Sequence, residues 1–307
     1  MRRAPSHAGS WYTSDGARLG EQLDGWLSAA RADAESTVEV GEGGGRRLGA
    51  LIAPHAGYAY SGPAAAYAYK HLEVASGRVA RVFLLGPSHH FYTRQCCLSR
   101  ATHYGTPLGD LAVDVDGAVA ALRASGLFGP DMSAAQDEDE HSLEMHLPYI
   151  LRSLGPRAAE SARLVPILVG NLDAEAEAAY GRLLAPYVAD PSNVFVASSD
   201  FCHWGTRFRY TPWDRSLGPI WKSVEALDRR GMDAVASRDP AAFRAYLDDT
   251  DNTVCGRHPI GVLMHALTLA CGDAHRVDWV RYEQSSHCET VADSSVSYAS
   301  AVVTLPT

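Results

Sequence analysis

Two histidines and a cysteine, His55, His89 and Cys255, are the residues of this sequence best suited to chemistry in common. Two imidazoles and a thiolate form a three-ligand set that leaves a transition metal one open position for water, oxygen or substrate. Asp200 and His203 stand near each other on a further stretch. A carboxylate there would orient a ligand imidazole, and a histidine would move a proton near neutral pH, so these two are the candidate catalytic pair. Trp11, Tyr58 and Tyr60 would supply aromatic walls. Each residue also has a plainer use, since loop histidines are more often simply hydrogen-bonded and aromatic rings more often simply packed.

Position favours the chemical use. His55 follows the apolar run 48–53 (LGALIA), which Pro54 closes. Run 82–86 leads into Pro87-Ser88-His89-His90, run 194–197 into Ser198-Ser199-Asp200-Phe201-Cys202-His203, and run 164–169 into Gly170-Asn171. Short, nearly continuous apolar runs are the pattern of strands covered on both faces in a parallel sheet. Ligands of such sheets sit outside the carboxyl ends of the strands, so these four tips are expected to meet at one cleft. The fold expected is α/β, one domain over 1–307, with a central, largely parallel mixed sheet flanked by helices.

The remaining elements follow from periodicity and punctuation. Leu19, Leu23, Trp26, Leu27 and Ala30 make the apolar stripe of a first helix. Residues 34–47, with GEGGG and no G-K-[ST], read as a flexible surface loop rather than a phosphate loop. Pro63 fits the first position of a helix to Leu72. A strand at 95–98, a hairpin within 104–116, and helices at 117–126, 173–188, 217–228, 240–247 and 259–271 come next, then two strands at 277–284 and 295–305. Cys255 falls just ahead of a helix start and near Arg257, a setting that favours the thiolate. The acidic run 137–140 suits a helix N-terminus. His141 and Glu144, three residues apart, share a helix face and are candidates to support the metal ligands, whereas the spacing to His146 is not that of H-E-x-x-H. Cys202 is assigned to packing.

With 46% hydrophobic and 21% charged residues, the 307-residue chain can bury a large core. A formal charge of −9 argues against nucleic acid as a partner. No run approaches the ~18 apolar residues of a membrane span, and residues 1–11 lack the apolar segment of a signal peptide. A cytoplasmic protein is expected, with the nucleus as a second compartment, no integral membrane association and a monomeric state. The six cysteines include the pair Cys96-Cys97 and no C-x-x-C, which suits reduced thiols.

Seven blocks resemble the Memo family, named for mediator of ErbB2-driven cell motility, and its eukaryotic branch in particular. They are SHAGSWY at 6–12, APHAGY at 53–58, GPSHH at 86–90, DEDEHSLEMHLP at 137–148, DPSNVFVASSDFCHWG at 190–205, CGRHPIG at 255–261 and DSSVSYA at 293–299. The resemblance implies a fold similar to class III, LigB-type, extradiol dioxygenases, which hold Fe(II) with two histidines and a glutamate. By position His55 and His89 take the histidine sites, His203 resembles the acid-base histidine, and Cys255 stands where those enzymes have the glutamate. A soft thiolate there changes metal preference and speaks against ring cleavage. The resemblance further implies a metalloprotein that takes iron (Fe2+), with copper as the alternative, and acts in redox or metal homeostasis and cell motility signalling. It also implies an alternative, a non-catalytic adaptor binding a phosphotyrosine peptide of a receptor tyrosine kinase in a pocket of Trp11, His55, Tyr60, His89, His203 and Cys255. A metal-dependent oxidoreductase is the enzymatic form of the first reading.

Overall fold

Apolar runs closed by proline or polar residues become the strands that carry the site. The computed structural model describes residues 1–41 and 45–307. The first half of the chain forms β1 (Arg2–Arg3), α1 (Gly16–Ala32), β2 (Arg46–Ala53), α2 (Tyr58–Ala75), β3 (Arg81–Pro87), β4 (Cys97–Leu98), β5 (His103–Thr106) and β6 (Gly109–Ala112). Four helices follow, α3 (Ala120–Ala124), α4 (Ala134–Asp139), α5 (His141–Glu144) and α6 (Leu147–Ser161). The second half forms β7 (Arg163–Val169), α7 (Ala174–Ala189), β8 (Asn193–Ser198), β9 (His203–Trp204), α8 (Ile220–Ala236), α9 (Pro240–Thr250), α10 (Arg257–Cys271), β10 (Arg276–Gln284) and β11 (Ser295–Pro306).

The main sheet runs β10-β11-β2-β8-β3-β7-β4, with β9 paired to β11. Its centre is parallel, through β2–β8, β8–β3 and β3–β7. β10, β11 and β4 add antiparallel margins, so this is the largely parallel mixed sheet expected. Burial on both faces explains why the central strands read as unbroken apolar runs: Leu48, Leu51, Phe83, Leu84, Val165, Ile167, Val194 and Val196 are all at or below 1% exposed. Helix α2 packs on β2 and β11, α10 on β3 and β8, with α1 against α2 and α7 against α10. Because β8 lies between β2 and β3, the tips bearing His55 and His89 flank the tip bearing Ser198.

Several local expectations are corrected. Helix α2 begins at Tyr58, five residues before Pro63. Tyr58 N–H donates to the Trp11 carbonyl and Ser61 Oγ to the Ala56 carbonyl, fixing the first turn early, and Pro63 merely omits one early helical hydrogen bond. The 34–47 stretch is partly built in: Ala34–Ser36 is a 3-10 turn and Arg46 and Arg47 belong to β2. Lys70 Nζ donates to Ser36 Oγ at 2.7 Å, which ties the turn down, while residues 42–44 lie outside the described residues. The 104–116 hairpin becomes β5–β6, and joins β1 in a separate three-stranded sheet. Among the described residues no helix is long and apolar enough to cross a membrane.

Candidate metal centre

His55 is fixed from two sides. Its backbone N–H donates to Asp200 Oδ1 at 2.8 Å, which couples the β2 tip to the β8 tip. Its ring Nδ1 lies 2.6 Å from Ser198 Oγ, and that hydroxyl spends its own proton on the Ser142 carbonyl at 2.8 Å. Ser198 must therefore accept from Nδ1–H, and the lone pair is left on Nε2. Nε2 lies 3.2 Å from Cys255 Sγ. Burial, and then the neighbouring His89, hold the His55 pKa well below its ordinary value, so the ring is neutral.

His89 is fixed by one carboxylate. Glu140 takes its backbone N–H at 2.7 Å and its Nδ1 at 2.9 Å, and caps α5 by accepting from Ser142 N–H at 2.9 Å. Burial opposes the charge on Glu140, but its hydrogen bonds to the ring and backbone N–H of His89 and to Ser142 N–H bring its pKa down to about 2. A carboxylate on Nδ1–H leaves the lone pair of His89 on Nε2, the arrangement by which proteins commonly orient an imidazole for a metal. Ligand atoms of His55, His89 and Cys255 lie within 4.8 Å of one another. The group His89, Glu140 and His141 meets the same distance, but Glu140 already accepts three N–H groups and acts as an orienting acceptor.

The thiol is not in the state expected of it. Burial, and then the charge of Asp200, push the Cys255 pKa up, so without a cation this residue is a thiol, not a thiolate. Arg257 does not offset this, and burial outweighs the helix start. Asp200 also has another task than orienting a ligand ring: it holds the backbone of His55, and its N–H donates to Cys255 Sγ at 3.2 Å. Burial raises the Asp200 pKa.

His203 stands on the pocket wall with Cys255. Its Nδ1 faces the Phe201 and Thr253 carbonyls at 2.8 and 3.1 Å, so Nδ1 carries the proton and Nε2 is free. His141 stacks on His89 with ring centroids 4.4 Å apart and packs against Trp11 in a tilted arrangement at 4.3 Å. Burial, then His89, lower its pKa to about 3. Trp11 thus reaches the site through His141. Glu144 turns away from the centre, taking Arg3 Nη1 at 2.6 Å, Tyr12 OH at 2.7 Å and His7 N–H at 2.9 Å. Tyr60 is 62% exposed on the first turn of α2, and it does not line the pocket of His203.

That pocket, about 480 Å³, also brings in Asn171, expected there as a strand tip, Arg257, noted only as a neighbour of Cys255, and Phe208 and His258, to which the sequence had given no role. Glu140 and Ser198 were missed too, although each lies within a motif already singled out. A second concavity, about 560 Å³ and lined by Asp33, Glu35, Arg46 and Arg276 among others, contains neither histidine nor cysteine. Chemistry, not size, identifies the site.

The family profile described as Memo-like protein matches residues 3–302. Protein MEMO1 of Danio rerio is 49% identical over 299 residues, covering 97% of this chain and 95% of its own. Protein MEMO1 of Homo sapiens is 46% identical over 305 residues, covering 99% and 97%. Protein memo-1 homolog of Caenorhabditis elegans is 42% identical over 310 residues, covering 98% and 82%. A solved uncharacterized protein of Escherichia coli K12 overlaps with a TM-score of 0.49 and 13% identity, over 83% of this chain and 98% of that one, a likeness too loose to carry anything further.

Proposed function

The chain belongs to the Memo-like protein family, and we propose that it works as a metalloprotein, holding iron, or copper as the alternative, through His55, His89 and Cys255. One observation supports this reading above others: both imidazoles are locked with Nδ1 protonated, by Ser198 and Glu140, beside a thiol 3.2 Å from one of them. Such a set of two borderline nitrogens and one soft sulfur fits a later transition metal better than a hard cation. A bound iron or copper ion would supply one-electron redox chemistry there, and the cellular role proposed is redox or metal homeostasis.

The protein's own residues have definite parts in this reading. Cys255 must give up its proton on metal binding, so affinity falls with falling pH. Asp200 holds the His55 backbone in place, and His203, with Nε2 free, accepts or returns a proton at the pocket wall. The adaptor reading also calls on Trp11 and Tyr60, and it has less support because neither lines the pocket, Trp11 packing instead against His141. The test is an anaerobic competition titration of Fe2+ and Cu+ against a chelator, on the wild-type protein and on His55→Ala. Tight binding weakened by orders of magnitude in the variant fits the proposal. Equal affinity in both would sink it.

A further inference from the structure

The segment 206–222, between β9 and the first turn of α8, carries Arg207, Arg209, Arg215 and Lys222 against one carboxylate, Asp214, in a chain of formal charge −9. All four cations are exposed, and none makes an ion pair or a side-chain hydrogen bond to any described residue. Asp214 is spent on Ser216, taking its N–H at 2.9 Å and its Oγ at 2.6 Å. Three of the cations lie instead on rings of the same segment: Arg207 on Phe208 at 4.4 Å, Arg215 on Trp213 at 4.7 Å and Lys222 on Trp221 at 5.5 Å. The segment is anchored along its length. Trp204 Nε1 donates to the Pro212 carbonyl at 2.8 Å, Tyr210 OH to the Thr250 carbonyl at 2.7 Å, Trp213 Nε1 to the Gly218 carbonyl at 2.9 Å, and Ser223 Oγ to the Asp214 carbonyl at 3.0 Å. An acidic protein thus holds an ordered face of unpaired cations and aromatic rings towards solvent.

We propose that this face docks the protein peripherally on an anionic phospholipid surface. Trp221 N–H donates to the Cys288 carbonyl at 3.0 Å and its ring stacks on His287 at 4.3 Å, so the β10–β11 connection lies against the start of α8. Each of these neighbouring stretches carries an exposed apolar side chain, Leu217 at 42% exposure and Val291 at 65%. Aromatic rings and aliphatic tips settle at the headgroup level of a bilayer, and guanidinium and ammonium groups meet lipid phosphate there. An acidic polypeptide would answer the four cations but would leave both aliphatic tips without a role, which favours lipid. Asp293, in the same connection, takes the Glu289 and Thr290 N–H groups at 3.0 and 2.8 Å, leaving Glu289 as an exposed carboxylate beside the basic face. Exposed acids farther away than about 8 Å are largely screened at physiological salt, so the local excess of cations governs the approach. Docking would use none of the three proposed metal donors.

The test is flotation with vesicles of phosphatidylcholine alone or mixed with phosphatidylserine, at low and high salt, with circular dichroism as the check on folding. Wild type is compared with the double variants Arg215→Ala/Lys222→Ala and Arg207→Gln/Arg209→Asn, and with Leu217→Asp. Asparagine is used at position 209 because Arg209 has a φ of 56°, which asparagine tolerates. Saturable binding to the mixed vesicles, weak on phosphatidylcholine and weakened by salt, is expected. Each double variant should weaken it about 10- to 30-fold, as two surface cations near anionic lipid contribute roughly fivefold each. Leu217→Asp should weaken it as well, although the four cations remain. If the mixed vesicles bind no better than phosphatidylcholine, or if both folded double variants bind as well as the wild type, the proposal is wrong. Poly-glutamate binding that needs the cations but not Leu217, with no vesicle binding, would assign this face to an acidic protein partner and overturn the lipid reading.

Discussion

His55 Nε2 lies 3.2 Å from Cys255 Sγ because the opposite ring nitrogen is held 2.6 Å from Ser198 Oγ. The serine in turn has no freedom, since its proton is given to the Ser142 carbonyl. Ser198→Ala therefore removes the acceptor that sets the His55 tautomer and ring angle while deleting one oxygen from a buried strand end. Metal affinity should fall about 10- to 100-fold with the fold retained. A metal titration on the folded variant that shows unchanged affinity would contradict this role.

Glu140 does for His89 what Ser198 does for His55. Glu140→Gln keeps the size but replaces one carboxylate oxygen with a donor, which cannot serve both the His89 N–H and its Nδ1–H. Metal affinity should again drop about 10- to 100-fold. The double variant with Ser198→Ala should lose more than either single one, because the two act on different ligands. A double variant no weaker than the singles would show that the two acceptors do not orient separate rings.

Arg3 is 1% exposed, with Nη1 on Glu144 at 2.6 Å, Nε on Asp137 Oδ1 at 3.1 Å and Nη2 on the Glu140 carbonyl at 2.8 Å. The N-terminal strand is thereby bolted to the segment that supplies Glu140. Arg3→Met leaves two buried carboxylates short of their counter-charge and should cost about 3–5 kcal/mol of stability, read by urea unfolding. A loss below ~1 kcal/mol would mean that His7, Tyr12 and Tyr104 satisfy those carboxylates without it.

These three positions mark what could and could not be seen in the sequence. The tips carrying His55, His89 and Asp200 were legible because both-face burial turns β2, β3 and β8 into apolar runs that stop abruptly at polar residues. Glu140 was not legible as a partner of His89, because an acidic run before a short helix is fully explained by capping. It does cap α5, and only the fold shows that the same carboxylate also faces the tip of β3. Glu144 illustrates the reverse. Its spacing from His141 suggested a shared duty, yet its carboxylate answers to Arg3, His7 and Tyr12, contacts more than 130 residues away in sequence.

Asp228 gives a pH dependence away from the residues proposed to hold the metal. It accepts from Cys202 N–H, Asn252 Nδ2 and Tyr282 OH, yet burial raises its pKa to about 6. Because the folded value lies above the unfolded one, near 3.9, the stability from protonation is fully present below pH ~4. It is lost as pH rises through 6, by an amount on the order of 3 kcal/mol. Asp228→Asn should flatten this slope, so the difference in unfolding free energy between wild type and variant should change between pH 4 and 7. A pH-independent difference would show that the carboxylate is ionised at no cost.

The most direct test of the central claim is metal analysis of protein purified without oxygen, beside the same analysis of Cys255→Ser. Iron or copper near one per chain in the wild type, and lost in the folded variant, is the result predicted for a site of His55, His89 and Cys255. Equal metal content in both proteins, or none in either after anaerobic loading with Fe2+ and Cu+, would contradict it.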